Sequence, residues 1–178
     1  MSEVIPRRTI GAIVVAFIAV LCAGEAAAAD PVIFLVRHAE RATTPSGQPA
    51  RNMMADDPPL SDAGQQRALK LAALLASSGI KHIFTTEYQR TRQTAVPVAE
   101  RLNVKPVMSA ARDPDPLLEQ MTKATGNVLV VGHSNTVPEL LKRLGVKQAI
   151  TISDSEYDNL FVVVRHATGE PTLIRLRY

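Results

Sequence analysis

Short apolar runs of strand length recur along this chain, and their alternation with helical segments restricts the fold more than any other feature. Val32–Val36 (VIFLV) and Asn127–Val131 (NVLVV) are the clearest of these runs. Runs of this kind are typical of strands buried on both faces of a sheet. Further strands are predicted at Ile83–Phe84, Val104–Met108, Leu160–Val164 and Thr172–Leu176.

Helical patterns fill the intervals between the strands. They are predicted from Ser61 to a stop at Gly79, and at Thr91–Leu102, Pro116–Thr125 and Val137–Leu144. Strands that alternate with helices predict an α/β fold. We expect a three-layer sandwich with a mostly parallel central sheet and helices on both faces. A polar loop rich in Pro and Gly, Ala42–Pro59, separates the first strand from the first helix.

The first 29 residues have the pattern of a secretory signal peptide. Arg7 and Arg8 precede the apolar run Ile10–Ala23, and Ala27-Ala28-Ala29 forms a small-residue cleavage site before Asp30. The run is shorter than the roughly 20 residues of a bilayer span, although an uncleaved anchor is the alternative. Residues 30–178 are then a single domain, and we expect a periplasmic or secreted protein with no membrane attachment after cleavage.

The composition excludes several classes of function. Cys22 is the only cysteine and lies within the leader, so the mature chain has neither a disulfide nor a thiol nucleophile. The formal net charge is +3 without any basic run, so nucleic acid is not an expected partner. Asp56 and Asp57 have no partner histidines and do not resemble a metal site.

Charged and imidazole side chains follow three of the predicted strands. Arg37-His38-Ala39-Glu40-Arg41 follows the first strand, Thr85 to Arg90 follows the second, and Gly132-His133-Ser134-Asn135 follows the fourth. Ligands of open α/β sheets bind beyond the carboxyl ends of the strands. Arginine matches the oxygens of a phosphate, and a neutral histidine among such donors is a nucleophile for phosphorus. The pattern therefore indicates phosphate chemistry.

The same segments resemble a known family. LVRHAER, TTEYQRTRQTA and VVGHSN, together with PLSDAG, are similar to motifs of the histidine phosphatase superfamily, relatives of the cofactor-dependent phosphoglycerate mutases. The resemblance covers the mature chain and implies a phosphoglycerate mutase-like fold without a cofactor or metal. It implies that His38 is the nucleophile and His133 the second histidine. Phosphate ligands are implied at Arg37, Arg41 and Arg90.

Other polar residues of these segments have two interpretations. Asn135 is predicted either to bind near the phosphate or to cap the following helix. Arg165-His166-Ala167 repeats the letters of the nucleophile motif, but no phosphate-binding segment follows it. We interpret His166 as an exposed strand-end histidine, and His82 as a strand residue without a catalytic task.

The proton donor is less clearly indicated than the nucleophile. The phytase-like branch has an aspartate directly after the second histidine, where this chain has Ser134. The mutase-like branch uses a glutamate further along, and Asp113 or Asp115 lies nearest that position here. Glu87 is a further candidate. Asp113 is the residue that we predict for this role.

The function predicted on these grounds is hydrolysis of a phosphomonoester through a phosphohistidine on His38. The expected partner is a small phosphorylated substrate, and the oligomeric state stays open. A phosphomutase and a catalytically weak phosphate-binding module of the cell envelope are the alternatives. The missing acid favours the binding module, whereas the two histidines and three arginines favour the enzyme.

Overall fold

The computed structural model describes residues 31–43, 57–166 and 168–178. The predicted signal peptide and residues 44–56 of the predicted loop lie outside the described residues. None of the helices formed by the described residues is long and apolar enough to span a membrane.

Strands and helices alternate along the described chain, as predicted. In chain order they are β1 (Val32–Arg37), α1 (Asp62–Leu74), β2 (Ile80–Thr86), α2 (Gln89–Leu102), β3 (Val107–Ser109), α3 (Asp115–Lys123), β4 (Asn127–Gly132), α4 (Thr136–Arg143), β5 (Asn159–Val164) and β6 (Thr172–Arg177).

The strands form one six-stranded sheet in the order β3-β2-β4-β1-β5-β6. The neighbouring strands from β3 to β1 are parallel. β5 runs in the opposite direction to the other five strands and pairs antiparallel with β1 and β6. The two strands with the clearest apolar runs, β1 and β4, pair at the centre with Arg37 opposite Gly132. The prediction of a mostly parallel sheet is confirmed.

Both faces of the sheet are covered by helices. On one face, Leu117 and Met121 of α3 and Leu140 of α4 pack on Ile33 and Leu35 of β1. On the opposite face, α1 and α2 pack on the sheet through Leu71, Ala72, Ala95 and Val98. Alternate side chains of a strand point to opposite faces, so each central strand contributes to both clusters. The three-layer arrangement is therefore confirmed.

The third strand differs from its prediction. Asn103 ends α2 in a left-handed conformation (φ 52°), and the Val104 N–H donates to the carbonyl of Ala99 at 3.0 Å. This pattern is a helix C-terminal motif, so Val104 terminates the helix instead of beginning a strand. Pro106 follows, and β3 begins only at Val107. The predicted start of the strand at Val104 is wrong for this reason.

Candidate active site

A cavity of about 510 Å³ opens at the carboxyl ends of β1, β2 and β4. All the predicted nucleophile, second-histidine and phosphate-binding positions line it, which places both histidines and the three arginines at a single site. Its lining residues are Arg37, His38, Arg41, Tyr88, Arg90, Ala111, Arg112, His133, Ser134, Asn135, Thr136, Glu139 and Asp154.

His38 follows β1 directly and is only 4% exposed. Its backbone N–H donates to the carbonyl of Gly132 at 2.9 Å, which ties it to the neighbouring strand. Its Nδ1 lies 2.8 Å from the carbonyl oxygen of Ala39. Because a carbonyl only accepts, Nδ1 carries the proton and the lone pair of the neutral ring is on Nε2. Burial lowers the pKa of His38 to about 3, so the ring is neutral at physiological pH.

His133 follows β4 and lies next to His38, with 5.3 Å between the ring centroids. Its Nε2 is 3.0 Å from Oγ1 of Thr86, which is 2.9 Å from Oγ1 of Thr91. The Thr91 hydroxyl donates to the carbonyl of Tyr88 at 2.8 Å. Since each hydroxyl has one hydrogen, all three contacts are satisfied when Thr86 donates to Thr91 and the His133 Nε2–H donates to Thr86. Burial lowers the pKa of His133 to about 4.

Arg37, the last residue of β1, is held by a loop far along the chain. Its Nη1 donates to the carbonyl oxygens of Ser153 (2.8 Å), Asp154 (3.1 Å) and Glu156 (3.1 Å). Its guanidinium lies 4.2 Å from the ring centroid of Tyr157. Its Nε is buried and has no hydrogen-bond partner among the described residues. Burial lowers the pKa of Arg37 from its ordinary value.

Arg90 lies in the first turn of α2 and is also buried. Its guanidinium is 4.2 Å from the ring centroid of Tyr88, and its Nη1 is 3.5 Å from a carboxylate oxygen of Asp57. Tyr88 also packs edge-on against the ring of His133 at 5.3 Å. Burial lowers the pKa of Arg90 from its ordinary value. Two buried arginines, each stacked on a tyrosine, thus flank the two histidines.

Arg41 and Asn135 line the same cavity. Arg41 forms an isolated bridge with Leu60. Asn135 occupies the position before α4 but makes no capping hydrogen bond through its side chain. The capping interpretation of Asn135 is therefore wrong, because its backbone is helical (φ −95°, ψ −39°) instead of extended, the conformation from which a capping side chain usually reaches the first turn.

Comparison with known proteins shows a family resemblance over part of the chain. The model of the histidine phosphatase superfamily (branch 1) matches residues 33–112. Over this range the chain is similar to the histidine phosphatase superfamily. The matched range includes His38, Arg37, Arg41 and Arg90 and ends before His133 and Asn135.

A curated protein is similar to part of the chain. The probable phosphoglycerate mutase GpmB of Yersinia enterocolitica (serotype O:8, biotype 1B) is 37% identical over 75 residues. The match covers 42% of this chain and 34% of that protein, so the chain matches about a third of the length of this relative.

Solved structures share the fold over most of the chain. The protein histidine phosphatase SixA complexed with tungstate aligns with a TM-score of 0.62 at 18% identity, over 82% of this chain and 96% of that one. The mycobacterial glucosyl-3-phosphoglycerate phosphatase with inorganic phosphate aligns with a TM-score of 0.63 at 12% identity, over 83% and 96% of the two chains. At these identities the similarity shows the fold alone.

The acidic residues predicted as proton donors do not line the cavity. Asp113 accepts the backbone N–H of Asp115 at 3.2 Å near the start of α3, and Asp115 pairs with Arg143. Glu87 accepts the backbone N–H of Ala111 at 2.9 Å. The role of Asp113 stays a prediction.

The cavity is also lined by side chains for which the sequence predicted no individual role: Tyr88, Arg112, Thr136, Glu139 and Asp154. Tyr88 and Glu139 could have been found, since they lie two residues before Arg90 and six residues after His133. His82 and His166 lie outside the cavity lining. They contact the carbonyl of Thr125 and the hydroxyl of Thr172.

Proposed function

We propose that this protein is a phosphomonoester hydrolase that works through a phosphohistidine on His38 and needs no metal. The observation that carries the proposal is the state of His38. Its ring is buried and neutral with the proton on Nδ1, and it lines one cavity with His133, Arg37 and Arg90. This arrangement provides a nucleophilic Nε2 within a set of phosphate-binding donors.

The first chemical step forms a bond between Nε2 of His38 and phosphorus while the bond from phosphorus to the leaving oxygen breaks. Negative charge on the equatorial phosphate oxygens is stabilised by Arg37 and Arg90, with Arg41 as a further ligand. His133 contributes in its protonated form, which the negative charge of the bound phosphate favours and in which the second ring nitrogen also carries a proton to donate. The leaving oxygen takes a proton. Water then attacks phosphorus and gives a proton to the group that protonated the leaving oxygen, the N–P bond breaks with its electron pair returning to Nε2, and inorganic phosphate is released.

Two carboxylates are compared as donors of that proton. Asp113 is the donor predicted from the sequence, and Glu139 is a carboxylate that lines the cavity. A poor leaving group needs protonation more than nitrophenolate does. If the donor is the carboxylate that lines the cavity, Glu139→Gln lowers kcat on an alkyl phosphate more than kcat on p-nitrophenyl phosphate. Asp113→Asn then leaves the ratio of these two kcat values unchanged. The reverse pattern would assign the role to Asp113.

The proposed activity is tested by hydrolysis of p-nitrophenyl phosphate by the chain from Asp30 in EDTA. His38→Ala is the test variant, and His82→Ala is the matched control because His82 lies outside the cavity lining. We expect activity that survives the chelator, persists in the control and vanishes in His38→Ala. Activity that His38→Ala retains would contradict the proposal. Phosphate binding without turnover would favour the binding module.

We also propose that the protein is exported, on the grounds of the signal-peptide pattern in residues 1–29. Expression of the full chain in a bacterial host should yield a periplasmic protein whose N-terminal peptide begins at Asp30 by mass spectrometry. A cytoplasmic protein that retains its leader would contradict this proposal.

A further inference from the structure

The loop that holds Arg37 is closed on itself by Glu156. The Glu156 N–H donates to the carbonyl of Ser153 at 3.0 Å, and the Ser153 N–H donates to the Glu156 carboxylate at 2.8 Å. These reciprocal bonds bring the carbonyl oxygens of Ser153, Asp154 and Glu156 around a single nitrogen, Nη1 of Arg37. We call these three carbonyls and the Tyr157 ring the Arg37 socket.

The socket is fastened to the edge of the sheet through the same carboxylate. Oε1 of Glu156 accepts from Arg177 at 2.9 Å and from Arg175 at 3.2 Å, and both arginines belong to β6. The backbone hydrogen bond from Ser153 and the guanidinium of Arg177 hold the pKa of Glu156 at about 2. The carboxylate is thus ionised at neutral pH. Glu156 is not among the residues that line the cavity.

The socket uses one end of the Arg37 guanidinium and leaves the Nε–Nη2 edge without a hydrogen bond from the described residues. Nη1 is occupied by three carbonyls, whereas Nε is buried without a partner among the described residues. Within residues 31–43, 57–166 and 168–178, Nη2 has a single distant contact, 4.0 Å from the carboxylate of Asp154, whose side chain is 92% exposed. The N–H groups of Nε and Nη2 on one edge of a guanidinium are parallel and match two oxygens of a phosphate.

We infer that Glu156 is a positioning residue that sets the phosphate affinity of the cavity by fixing the Arg37 socket. The inference rests on the proposed function, because it takes Arg37 as a phosphate ligand. Three carbonyl dipoles directed at one nitrogen repel each other, so their arrangement depends on the closed turn. Without the Glu156 carboxylate the turn opens, Nη1 loses fixed acceptors, and the guanidinium rotates away from the orientation that presents Nε and Nη2.

The test measures the affinity for inorganic phosphate by isothermal titration calorimetry with the chain from Asp30. Glu156→Ala should weaken binding about tenfold, the order of one charge-assisted hydrogen bond. It should raise KM for p-nitrophenyl phosphate in parallel while kcat changes less than about twofold, because Arg37 binds the phosphate before and during the reaction. Asp158→Ala is the matched control. It removes another acceptor of Arg177 (2.5 Å) and leaves the Ser153 bond intact, so binding should be unchanged.

A double-mutant cycle separates positioning from a general loss of structure. In an Arg37→Ala background, Glu156→Ala should cause no further loss of phosphate affinity, because the socket then holds nothing. A loss that persists in that background, or an unchanged affinity in Glu156→Ala alone, would overturn the inference. If Glu156→Ala does not fold, Arg175→Gln should give a smaller loss in the same direction. A wild-type chain that binds no phosphate would instead overturn the proposed function.

Discussion

Replacing Gly64 by alanine tests how the loop that carries His38 is held. Gly64 lies in the first turn of α1 and contacts the backbone of Glu40. Glu40 follows His38 by two residues. A Cβ at this position would lie 2.1 Å from the carbonyl oxygen of Glu40 and 3.0 Å from its carbonyl carbon. That oxygen also accepts the N–H of Ser61 at 3.0 Å, so it cannot move away without losing this bond.

Two effects of opposite sign compete in Gly64→Ala. Helix propensity favours alanine by at most about 1 kcal/mol. Inserting a methyl group against fixed backbone costs about 1–3 kcal/mol. An overlap of more than 1 Å with a backbone atom belongs at the upper end of that range, so we expect a net loss of about 1–2 kcal/mol. For a domain of this size the melting temperature should fall by roughly 2–8 °C.

Thermal unfolding followed by far-ultraviolet circular dichroism shows directly whether Gly64→Ala raises or lowers the melting temperature. Ala63→Gly, at the exposed neighbouring position, measures helix propensity in the same turn without the contact. We also expect Gly64→Ala to lower kcat/KM for p-nitrophenyl phosphate, because the displaced loop carries the nucleophile. A melting temperature equal to or above that of the wild type would refute the reasoning, since it would show that the loop yields at no cost.

Two further predictions concern the buried histidines and their support. Burial lowers the pKa values of His38 and His133 to about 3 and about 4, so the unfolded chain binds more protons below pH 6.5. Stability in urea should therefore fall from pH 6.5 towards pH 4, by up to about 1.4 kcal/mol per pH unit for each histidine, and a His38→Gln/His133→Gln variant with an equally steep fall would contradict this. Thr86→Val removes the acceptor of the His133 Nε2–H, so the orientation of the His133 ring is no longer fixed. We expect kcat to fall about tenfold or more, an effect comparable to losing a group that stabilises the transition state. Thr85→Val is the matched control, because the buried Thr85 hydroxyl has no partner among the described residues, and a similar loss of kcat in both variants would contradict a specific role for Thr86.

The order of strands and helices, and the position of both histidines at one edge of the sheet, could be predicted from the sequence alone. Apolar runs that must be buried on both faces mark the central strands, and residues that follow parallel strands meet at one edge of the sheet. His38 and His133 follow β1 and β4, which are neighbours in the sheet. Their meeting was therefore predictable from local pattern and topology together.

Features that depend on distant contacts could not be predicted. The carbonyls that hold Arg37 lie 116 to 119 residues away in the chain, in a loop without a motif. The ring nitrogen of His133 that carries the proton is determined by its contact with Thr86 and, through Thr86, with Thr91. Nothing in the sequence distinguishes these two threonines from the other threonines of the chain. Val104 was misassigned because a helix C-terminal motif recruits its N–H, and an apolar residue after Asn103 does not reveal this by its type.

The most direct test of the account is to trap the phosphoryl group on the protein. The chain from Asp30 is mixed with p-nitrophenyl phosphate, quenched in alkali during turnover, digested and analysed by mass spectrometry. We expect one phosphoryl group on the peptide that contains His38, and none on that peptide in His38→Ala. A phosphoryl group on another residue, such as His166 in the repeated motif, or turnover without any trapped group on His38, would contradict it.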